Sequence, residues 1–107
     1  MDMKIGELVD RATVARLYTE RDNSGYNEYK RLKDGLFSSI VKRDKIPWNE
    51  LIELMYQING FIWDFEAPIH SGKLDCDPIM AGVLALRVRK LNAMRVNLSK
   101  LIDKLVE

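Results

Sequence analysis

The chain predicts an all-α fold: a bundle of about four helices organised around an antiparallel helical hairpin. Three observations carry this. Apolar residues recur at steps of three and four almost throughout, and no stretch of four or more residues alternates with strand chemistry. Breaks rich in Gly, Pro, Asn and Ser divide the chain into helix-sized segments. With 47% hydrophobic and 31% charged residues among 107, the composition is that of a folded chain, and the length suits one domain, 1–107, with a modest core.

Helix one is expected at residues 4–21. Ile5, Leu8, Val9, Ala12 and Ala15 share one side, and Glu7 stands four residues before Arg11 as a surface ion pair. Asn23-Ser24-Gly25 ends it. Helix two is expected at 26–43, carrying Tyr29, Leu32, Leu36, Phe37, Ile40 and Val41, with Gly35 weakening it by about 1 kcal/mol relative to alanine. Pro47 suits the first turn of helix three, expected at 47–67. Pro68 lacks the donor that would continue the helix, so His70-Ser71-Gly72-Lys73 reads as the loop. Asp77-Pro78 is an N-cap followed by a first-turn proline, starting helix four at 77–106.

Two seams follow from the spacing. On helix three, Leu51, Met55, Ile58, Ile62, Phe65 and Ile69 repeat at steps of four and three. On helix four, Leu84, Arg87, Leu91, Met94, Leu98, Leu101 and Leu105 do the same. Two seams joined by a short loop predict coiled-coil-like packing at about +20°. Beside them run mixed rows: Ile52, Tyr56, Asn59, Trp63, Glu66 and His70 on helix three, and Val88, Asn92, Arg95, Ser99 and Ile102 on helix four. These rows could face each other, or share a groove with Asp10 and Thr13 of helix one.

Gly6-Glu7-Leu8-Val9-Asp10-Arg11-Ala12-Thr13-Val14, then Asn59 with Ile62-Trp63-Asp64 and Glu66, then Asn92 and Arg95, form a pattern over both ends of the chain. It resembles a group of small uncharacterised bacterial and phage proteins with a GEL(I/V)D(R/K)xT(I/V) opening and later N-x-x-(I/L)-W-x-x-E and N-x-x-R helices. The resemblance implies an all-helical fold and transfers no mechanism. Ala12 stands where a larger apolar residue is expected.

Most chemistries are disfavoured. A formal charge of +1 gives no field for nucleic acid, although Arg87, Arg89, Lys90, Arg95 and Lys100 make helix four basic. A single cysteine excludes an internal disulfide. No signal-like start or 18-residue apolar run is present, which suggests a cytoplasmic protein without a membrane span. His70, Asp75, Cys76 and Asp77 offer one thiol, one imidazole and two carboxylates with capping work, too few for a structural zinc site. Glu50 and Glu53 lack the second acidic pair, on helix four, that a magnesium-dependent helical pyrophosphohydrolase needs, so they are first-turn acids at a helix dipole. No catalytic, metal or cofactor residue is assigned.

The candidate binding residues are Asp10, Asn59, Trp63, Glu66, Asn92 and Arg95. They read either as a polar network fixing helix register or as a groove for a small polar or anionic ligand, with Arg95 as the forked donor and Trp63 as a flat wall. The favoured expectation is a non-enzymatic helical protein that acts by self-association as a homodimer, or by binding a protein partner.

Overall fold

A computed structural model describes residues 3–107. It contains four helices, α1 (Ile5–Asp22), α2 (Tyr26–Ile40), α3 (Trp48–His70) and α4 (Pro78–Leu105), and no strand among the described residues. The all-α bundle expected from the periodicity is what the chain forms. α1 is the hub, packing against each of the other three, and α3 packs against α4. Opposed pairs along the helices give the directions. Gly6 meets Asp103 and Asp10 meets Arg95 across the α1–α4 contact, so these two run antiparallel. Asn59 meets Asp10 and Trp63 meets Tyr18, so α1 and α3 run the same way.

The core comes mainly from α1 and α3: Leu8, Val9, Met55, Ile58 and Ile62 are buried, joined by Leu32 and Leu36 of α2 and Leu98 and Ile102 of α4. Ala12 is part of it. Gly6 decides how closely α1 and α4 approach. A Cβ at that position would lie 2.2 Å from the Ser99 carbonyl oxygen, a distance no side chain tolerates. The Gly6 N–H donates to Asp103 Oδ1 at 2.8 Å, so a carboxylate 97 residues away caps α1 where Lys4 gives no side-chain cap.

The ends of α2 and α3 differ from the spacing-based expectation by more than one residue, each for a local reason. α2 stops at Ile40 rather than near residue 43. There Arg43 N–H bonds back to Ile40 O, and the Arg43 carbonyl accepts from the Trp48 indole at 2.9 Å, docking Trp48 in the core. α3 runs through Pro68 to His70 instead of ending before it. A proline so near the end of a helix removes few intrahelical bonds, and Ser71 N–H to Ala67 O at 3.0 Å keeps the last turn closed. Trp48, not Pro47, is the first residue of α3. The expected α4 start holds: Asp77 accepts from Met80 N–H at 3.0 Å and Pro78 opens the helix.

The larger correction concerns the face of α4. Of the expected seam, only Leu84 and Leu98 are buried, Leu91 is partly so, and Arg87, Met94, Leu101 and Leu105 are exposed, while Ile102 of the neighbouring row is fully buried. α4 seats in the cleft between α1 and α3, so its inward arc is centred between the seam and the polar row. On α3 the seam holds from Leu51 to Ile62 and opens at Phe65, which is partly buried with the Arg87 guanidinium 5.5 Å from its ring.

Candidate functional site

Five of the six candidate residues divide into two separate places, and Asn92 belongs to neither. The first is a polar cluster where α1, α3 and α4 meet. Asn59, 4% exposed, spends both amide hydrogens there, donating to Asp10 Oδ1 and to Thr13 Oγ1, each at 2.9 Å. Two oxygen acceptors fix the amide orientation, because the flipped amide would set oxygen against oxygen. The Thr13 hydroxyl donates to the Asp10 carbonyl at 2.8 Å. Arg95 completes the cluster from α4, its Nε 3.8 Å from Asp10 Oδ2, which is an ion pair longer than a hydrogen bond. No buried side-chain nitrogen or oxygen among the described residues lacks a partner. The buried donors and acceptors of the cluster serve one another, and Asp10 offsets part of the charge of the Arg95 guanidinium beside it.

The second place is a recess of about 300 Å³ lined by Tyr18 of α1 and Trp63, Glu66, Ala67 and His70 of α3. Tyr18 and Trp63 meet edge to face, with ring centroids 4.8 Å apart and planes at 74°. Glu66 makes no hydrogen bond or ion pair among the described residues. Trp63 and Glu66 thus sit together, but Arg95 points to Asp10. Asn92 is partly buried one turn before Arg95 and makes no side-chain hydrogen bond among the described residues. Tyr18 was not a candidate, although it lies eight residues after Asp10, two i+4 steps along the same face of α1.

Around these places the charges are mostly paired. Arg21 is bound to Asp64, and Glu28, in a 350 Å³ groove between α1 and α2, is held below the ordinary carboxylate range by its hydrogen bond to Arg31. Tyr56 donates to Glu20 at 2.5 Å with the Arg16 guanidinium 4.0 Å from its ring. The hydrogen bond to Glu20, then burial, raises the Tyr56 hydroxyl above its usual value of 10.0. No group of three or more His, Cys, Asp or Glu side chains suited to a metal ion occurs among the described residues, and Cys76 is exposed. No helix among them is long and apolar enough to cross a membrane. No family model, curated protein or solved structure matches the chain.

Proposed function

We propose that this protein acts by self-association, as a two-fold homodimer formed through the outer face of the α3–α4 hairpin, without catalysing a reaction. The observation that carries this is the exposure of that face. α4 has 28 residues yet buries only Leu84, Leu98 and Ile102, while Met94, Leu101 and Leu105 remain about half exposed, as do Phe61 and Leu54 of α3. An apolar depression of about 330 Å³ between Phe61, Phe65, Leu91 and Met94 runs along it. Monomeric proteins rarely leave so continuous an apolar stripe in water, because covering it with like surface releases water at about 25 cal/mol per Å².

Arg87, Arg89 and Lys90 flank the stripe near the middle of α4 and have no ion-pair partner among the described residues, so the two copies must meet in a register that keeps these cations apart.

Light scattering coupled to size exclusion tests this at micromolar concentration. The expected mass is twice the 12.4 kDa of the chain. Phe61→Asp with Met94→Asp should return the mass to that of one chain with helicity retained, since both side chains lie on the surface. A wild-type protein eluting as a single chain, or a double variant still dimeric, would end the proposal.

A further inference from the structure

The recess at Tyr18 and Trp63 lies on the side of α3 away from Phe61 and Phe65, so what it binds is independent of the self-association. Two aromatic rings stand there at nearly a right angle, forming the corner of a cage. Glu66 follows Trp63 by three residues, which puts its carboxylate on the same helical face, one turn along. Arg21 is engaged with Asp64 and Arg95 with Asp10, while His70, four residues after Glu66, lines the same recess and makes no ion pair with it among the described residues. Ala67 keeps the floor open, and the volume of about 300 Å³ is at the small end of the range for ligand sites.

The electrostatic sense of this site is opposite to that of a groove containing Arg95. Ring faces carry the negative end of the aromatic quadrupole, and an unpaired carboxylate adds a full negative charge. An anion entering the recess meets repulsion from both. A cation with no N–H to donate, which presents methyl groups to flat ring faces, gains from both. We propose that the Tyr18–Trp63–Glu66 recess binds a quaternary ammonium group, the rings contacting its methyls and Glu66 balancing its charge. That group could belong to a small amine or to a trimethylated lysine side chain.

Nuclear magnetic resonance of the full ¹⁵N-labelled chain, titrated with choline chloride against a sodium chloride control, reads this directly. The two tryptophans give separate indole N–H signals. Trp48, buried and bonded to the Arg43 carbonyl, serves as the internal reference for an intact fold. The Trp63 indole should shift saturably with choline while Trp48 stays in place. Glu66→Gln should weaken the binding by about fivefold or more, from the loss of one nearby charge in a half-exposed site. In a parallel arm, a short glycine-flanked peptide bearing trimethyllysine that bound more tightly than choline would assign the group to a protein side chain, and weaker binding would assign it to a free amine. The proposal falls if neither probe shifts Trp63, if both tryptophans move together, if Glu66→Gln binds equally well, or if sodium phosphate saturates the same signal.

Discussion

Replacing Gly6 by alanine should destabilise the protein, although the same change inside a helix ordinarily stabilises it. Intrinsic helix propensity favours alanine over glycine by about 1 kcal/mol. At Gly6 that gain meets the close approach of α4: the new methyl would lie 2.2 Å from the Ser99 carbonyl oxygen, 2.7 Å from its Oγ and 2.9 Å from Asp103 Oδ1. A backbone carbonyl cannot rotate away as a side chain can, so the two helices must separate. Overpacking of this kind costs about 1–3 kcal/mol. Separation also stretches the Gly6 N–H bond to the Asp103 carboxylate, and a hydrogen bond to a charged group contributes about 1.5–3 kcal/mol. The net loss is about 2–4 kcal/mol, which for a domain of this size lowers the melting temperature by roughly 10–20 °C. Gly82 supplies the control. It lies in α4 with nothing within 4 Å of a built Cβ, so Gly82→Ala should raise stability by up to about 1 kcal/mol. Thermal and urea unfolding followed by circular dichroism would measure both. Equal or greater stability of Gly6→Ala would show that α1 and α4 do not meet at Ser99, and the helix arrangement described above would be wrong.

Asn59→Ala removes both donors from the buried cluster and should cost about 1–3 kcal/mol in urea unfolding; a loss below a few tenths would mean that Asp10 and Thr13 are satisfied without it. Arg95→Met keeps the packing of the stem and loses only a partly exposed pair at 3.8 Å, so its cost should be about 1 kcal/mol or less, and a loss above about 3 kcal/mol would show a buried charge left uncompensated. The raised Tyr56 hydroxyl makes a pH prediction. Because the folded state binds that proton more tightly than the unfolded chain, its contribution is complete below pH 10.0 and is lost as pH rises through the folded-state value. Wild-type stability should therefore fall more steeply than that of Tyr56→Phe above pH 10.0, and parallel curves would remove Glu20 as the cause.

Helix identity was legible because it is a local property. The three-and-four spacing of Leu51, Met55, Ile58 and Ile62 requires one buried stripe, and Asp77-Pro78 starts a helix through bonds that span only three residues. Pro68 was misread because its local cost is real and the compensation comes from the next turn, where Ser71 reaches Ala67. The α4 seam was misread for a different reason. Periodicity reports which residues share a face, but the rotation of that face is set by where the neighbouring helices lie, and α4 seats between α1 and α3.

The candidate residues show the same division. Sequence alone placed Asp10, Asn59 and Arg95 on faces where polar groups would have to meet, since a half-buried charge needs a partner wherever it lies. It could not say that Asp10 would take Arg95, or that Tyr18 would stand against Trp63 beside an unpaired Glu66, because those contacts join residues 45 to 85 positions apart. Hydrophobic spacing and the Asp77 cap act within a few residues and are written in the chain order; the cap that Asp103 gives α1, the pairing of charges and the shape of a recess depend on the distance between helix axes. That distance is decided at Gly6, where the absence of one methyl lets α4 close on α1.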